Sequence, residues 1–87
     1  MTELNKKPNK KQLEWQCRRG MLELDVILMP FLERHFELLD VNTQQAFVAL
    51  LKEADPDIYT WIMGFGKCEQ LELLDIIQVI RKKMLIA

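Results

Sequence analysis

This 87-residue sequence has little that would suit a sheet, a disulfide framework or a catalytic centre. Three glycines and three prolines supply too little turn chemistry for a many-stranded sheet. Two cysteines, Cys17 and Cys68, allow one bridge at most, far short of the frameworks that staple small secreted domains. They are isolated, with no CxxC spacing, and with a single histidine they cannot assemble a metal site. His35 has no serine, cysteine or paired acid at triad spacing, so no catalytic residue is assigned. No apolar run approaches the roughly 20 residues that span a bilayer. The opening Met-Thr-Glu-Leu-Asn-Lys-Lys carries no apolar signal segment. The expectation is a chain without membrane insertion, in a reducing cytoplasm.

What is present is a well-balanced helical composition. Hydrophobic residues make up 49% and charged residues 29%, which argues against disorder. The length fits one domain. Net charge is −1, unevenly spread. Residues 1–19 carry six bases and two acids, while residues 20–87 carry six bases and eleven acids. Residues 1–8 are expected to form a flexible basic arm on an acidic body. The acidic body argues against nucleic acid as a partner, because phosphate binding needs a dominant basic face.

Apolar spacing predicts helices throughout and no strands. Lys10–Arg18 reads as a short first helix that begins at Pro8 and Asn9. Gly20 interrupts it, as the C′ residue of one helix or the N-cap of the next. Met21 to about Leu39 is the second, with Leu24, Ile27, Leu28, Phe31, Leu32 and Phe36 on one face. Pro30 within it predicts a kink or break near Met29. A third helix should start from an Asn42 or Thr43 cap and bury Phe47, Leu50, Leu51 and Ala54. Asp55-Pro56 then starts a fourth, to Met63, with Asp55 as its cap and Ile58, Trp61 and Ile62 facing inward. Gly64-Phe65-Gly66 stops it; with no preceding strand and no further glycines, it is no nucleotide loop. The last helix runs from about Glu69 to Met84, with Leu73, Ile76, Ile77, Ile80 and Met84 inward and Arg81, Lys82 and Lys83 in its closing turns. The expected fold is all-α: a compact single-domain bundle of five short helices, monomeric for want of a long heptad seam.

Arg19-Gly20-Met21-Leu22-Glu23 sets a cation, a glycine and a carboxylate around a helix start. Two readings stay open. Gly20 can cap the second helix, with Glu23 reaching back in half of a capping box and a surface Arg19–Glu23 pair. Alternatively, the glycine lets another backbone approach closely, and the arginine fork recognises a carboxylate or phosphate.

The longer stretch from Trp15 to Asp25, WQCRRGMLELD, resembles the RGxxE signature of the SdhE (YgfY) family. The likeness continues through Met29-Pro30-Phe31, Asp55-Pro56-Asp57 and Trp61-Ile62-Met63-Gly64 to the final helix. It implies an assembly factor that promotes covalent attachment of FAD to the flavoprotein subunit of succinate dehydrogenase, and also of fumarate reductase. By the same resemblance FAD is the partner's cofactor and is not held stably here. Arg19, Gly20 and Glu23 are the expected partner contacts, with Arg18 and Met21 as neighbours. The family has also been labelled an antitoxin acting on a membrane-associated toxin, which leaves a regulatory binding module as the alternative.

Overall fold

The computed structural model describes residues 9–84. The expected basic arm, residues 1–8, lies outside them, as does Pro8. Five α-helices follow in order: α1 Lys10–Cys17, α2 Leu22–His35, α3 Val41–Leu50, α4 Asp55–Met63 and α5 Leu71–Lys83. No strand occurs among the described residues.

Each boundary has a local cause. Asn9 caps α1, its Oδ1 accepting from Lys11 N–H at 2.9 Å. Asp40, rather than the expected Asn42 or Thr43, caps α3, accepting from Thr43 N–H at 2.7 Å. Three polar residues compete there, and only Asp40 has extended backbone one step before the first helical residue. These Thr43 hydrogen bonds lower the Asp40 carboxyl below its ordinary 3.8. Gly64 ends α4 at φ 79°, in the left-handed region that spares glycine the Cβ penalty.

Two expectations about α2 and α4 are corrected. Pro30 does not break α2; the helix is continuous from Leu22 to His35 and then tightens into a 3₁₀ turn at Phe36–Leu38, short of Leu39. A proline removes one donor, here the bond to the Val26 carbonyl, and Val26 lies exposed to water. Leu28, Phe31 and Leu32 are buried on both sides of it and hold the helix against the core. In α4, Asp55 is the first helical residue and Ala54 stands at the cap, exposed rather than in the buried stripe of α3.

The core is one cluster. α3 packs on α5, α1 on α2, and α2 and α4 also meet α5. Phe31, Phe36 and Phe47 form its aromatic centre, with ring centroids 5.4 Å and 5.5 Å from Phe47. Leu24, Leu50, Ile58, Ile62, Leu73, Ile76 and Ile80 close around them. Trp61 and Met84, expected inside, are half-buried against the rim. His35 is half-buried too, its ring 5.6 Å from that of Phe31. Gln44 is buried and donates from Nε2 to the Phe36 carbonyl at 3.0 Å, tying the 3₁₀ turn to α3.

Candidate functional site

Four residues join α1 to α2, and their conformation makes the corner. Arg18 leaves α1 in extended backbone, its N–H still donating to the Trp15 carbonyl at 3.2 Å. Gly20 sits at φ 81°, and a Cβ added there would meet nothing within 4 Å. Met21, extended, is the N-cap of α2, and its carbonyl accepts from Leu24 and Asp25. Gly20 is thus neither the C′ residue of α1 nor the cap of α2, but one position outside each. The capping-box geometry does not form, because Glu23 falls at the second helical position and not the third.

The two charges of the motif part company. Arg18 and Glu23 are exposed, and neither makes an ion pair with any described residue. Glu23 and Asp25 occupy the first turn of α2, where the helix dipole favours a carboxylate. Arg19 turns inward, its side chain only 14% exposed. Its Nε donates to Asp55 Oδ1 at 2.6 Å, not to Glu23. Nη1 donates to the Gln16 carbonyl at 2.9 Å and the Leu51 carbonyl at 2.6 Å. Nη2 donates to the Glu53 carbonyl at 2.9 Å. Its backbone N–H donates to Asp25 Oδ1 at 2.9 Å. The guanidinium therefore gathers the carbonyl ends of α1 and α3 and the acidic start of α4. Asp25 and Asp55 carry this arrangement, and sequence reasoning gave neither a part in the site. Asp55 gives no local signal, since its partner lies 36 residues away.

The corner has an apolar margin. Trp15, Leu22 and Val26 are 78%, 72% and 58% exposed. Leu22 and Val26 are four residues apart, hence on one stripe of α2 beside Glu23. Met21 is half-buried against the core. The candidate contacts Arg18, Gly20 and Glu23 are thus accessible, Met21 partly so, and Arg19 supports them from within.

Cys17 lies fully buried just before the turn. Burial pushes its thiol up to about 12, against the opposing pull of Arg19 and with help from Asp25 and Glu14. The folded state therefore holds the neutral thiol. That stability is fully present below the ordinary thiol value of 9.0 and is lost as pH rises from there towards 12. Iodoacetamide at pH 8 should leave Cys17 unmodified in the folded protein and label it after unfolding in guanidinium, as read by peptide mass spectrometry. The Cys17→Ala variant should lack that component of the alkaline loss, measured by denaturant titrations from pH 8 to 11.

A concavity of about 650 Å³ lies between the α4–α5 loop and α5, at the far end of α4 from Asp55. Trp61, Phe65, Cys68 and Ile77 line it with Arg81, whose Nη1 donates to the Ile62 carbonyl at 2.6 Å and so helps close α4. Among the described residues, no three His, Cys, Asp or Glu side chains converge to hold a metal ion, and no helix is long and apolar enough to cross a membrane.

Five helices around one core, with a charged, glycine-notched corner exposed between α1 and α2, define a small all-α domain. Residues 11–84 match the family described as flavinator of succinate dehydrogenase, and the chain belongs to that family. It is 55% identical over 64 residues to a Vibrio cholerae protein called FAD assembly factor SdhE, 74% of each chain being covered. Proteins of the same name from Yersinia pestis and Colwellia psychrerythraea are 41% identical over 75 residues and 44% identical over 78. Those matches cover 86% and 90% of this chain, and 85% and 86% of the relatives.

Proposed function

We propose that this chain is an assembly factor that docks on the flavoprotein subunit of succinate dehydrogenase and promotes its covalent attachment of FAD. The observation that carries the reading is the α1–α2 corner, on a chain belonging to the flavinator family. There, exposed and oppositely charged Arg18 and Glu23 flank a left-handed Gly20 with open space before it. Opposite charges fix the orientation of a partner, and the missing Cβ lets its backbone come close. Leu22 and Val26 add apolar area beside the charges.

The chain acts by assistance. The nucleophilic histidine and the FAD site belong to the client, and the attachment is the client's own reaction. Binding at the corner holds a mobile client segment in an attachment-competent arrangement. Raising the population of that arrangement shortens the wait for reaction and needs no catalytic group on this chain. The factor works as a cytoplasmic monomer, keeps no FAD of its own, and serves the related fumarate reductase subunit by the same contact.

Co-expression tests this. The succinate dehydrogenase flavoprotein, made with and without this chain, is denatured and separated, and flavin fluorescence is read on the subunit. Flavin bound to the denatured subunit should rise severalfold with the chain present. Equal fluorescence in both samples would reject the assignment.

A further inference from the structure

We propose that Arg19 and Asp55 are positioning residues: their clamp holds the α1–α2 corner in its docking shape, and Arg19 does not touch the client. The inference rests on the docking reading above and assigns the motif arginine a different task within it.

The chemistry of the clamp is specific. A guanidinium has five N–H donors in one plane, and here four of them are engaged with four acceptors. Three of those acceptors are carbonyls at the close of helices: Gln16 in the last turn of α1, Leu51 at the C-cap of α3, and Glu53 just beyond it. Such carbonyls have no partner within their own helix and need one from outside. The fourth acceptor is the Asp55 carboxylate, at the first position of α4. A lysine ammonium, with three donors on a single atom, cannot reach this set in its several directions.

The position of the clamp in the chain gives it a function. Residues 18–21 lie between two buried anchors, Cys17 and Leu24. Arg18 and Met21 are held locally, by backbone bonds to Trp15, Leu24 and Asp25, whereas Arg19 reaches across to the α3–α4 corner with its side chain while its backbone N–H donates to Asp25. Arg18 and Gly20 are its immediate neighbours. Their direction relative to α2 and α4 follows from where Arg19 is held. An arginine spent on four acceptors of its own chain has little left to offer a client, and withdrawing it would leave the part-buried Leu51 and Glu53 carbonyls and the Asp55 carboxylate without it.

The test separates a clamp from a direct contact. Affinity for the isolated apo-flavoprotein subunit is measured by titration, well below the melting temperature of every variant. Arg19→Lys should weaken binding about tenfold or more, as loss of a charged hydrogen-bond set does. Asp55→Ala should weaken it comparably, although Asp55 lies outside the motif. Asp55→Asn, which keeps an acceptor oxygen for Nε–H, should restore most of the affinity. The double variant Arg19→Lys/Asp55→Ala should be little worse than Arg19→Lys alone, because both cut one unit. The amide resonance of Gly20 should move in Arg19→Lys and Asp55→Ala and stay near its parent position in Asp55→Asn. Were Arg19 a client contact, Asp55→Ala would free its guanidinium and leave binding unchanged or tighter, and that result overturns the clamp. Glu23→Ala serves as the control for the docking reading. If it weakens binding while Asp55→Ala does not, the clamp alone falls; if neither does, the corner reading falls and takes the clamp with it.

Discussion

Replacing Gly20 with arginine should leave a folded protein that no longer raises the flavin content of its client. The backbone there is left-handed, which costs a residue with a Cβ about 1–2 kcal/mol. An added Cβ meets no neighbour within 4 Å, so no clash is added to that strain. A domain of this size should lose roughly 4–16 °C of melting temperature and keep its helical circular dichroism. The arginine side chain, however, would stand out from the corner between Arg18 and Glu23, where the client backbone is proposed to approach. Client flavin fluorescence should fall to the level seen without the factor. Gly20→Ala separates the two effects. It carries the same backbone strain with a single methyl, so it should lose similar stability and retain most of the activity. Full client flavinylation with Gly20→Arg would place the contact on another face.

The second large effect concerns the core. Phe47→Ala should cost about 3–5 kcal/mol, because the ring is completely buried and leaves a cavity that its neighbours fill only in part. Two aromatic contacts go with it, to Phe31 and Phe36. Small domains hold only about 5–15 kcal/mol in total. The variant should therefore melt roughly 15–30 °C lower and lose client activity through unfolding near 37 °C. At a temperature where it remains folded, its affinity for the client should approach that of the parent, since the α1–α2 corner is untouched. Weak affinity in the folded variant would mean that the corner depends on the aromatic centre as well as on the Arg19 clamp.

The helices were legible because their causes are local. Apolar residues three and four apart in Leu24–Phe36 and Leu73–Ile80 can only share a face if the chain is helical, and all but the half-buried Ile27 are buried. Asn9, Gly64 and the acidic first turn of α2 act within a few residues of themselves, so they could be read from the chain. The departures at Asp40, at Ala54 and at the break expected as one outcome of Pro30 have one origin. Several residues could cap or interrupt a helix, and the choice among them was made by packing. Buried neighbours on either side of Pro30 outweighed one missing hydrogen bond.

The site divides in the same way. Its motif, its exposed Glu23 and its permissive Gly20 lie within five consecutive residues, and the sequence by itself determined them, together with the fold class and the family. The inward turn of Arg19 was decided only when α3 and α4 were in place. A guanidinium seeks whichever acceptors surround it, and three of its four lie 32 to 36 residues downstream. No local pattern encodes a contact of that span; it exists because the packed helices bring their unpaired carbonyls and one carboxylate to a common point.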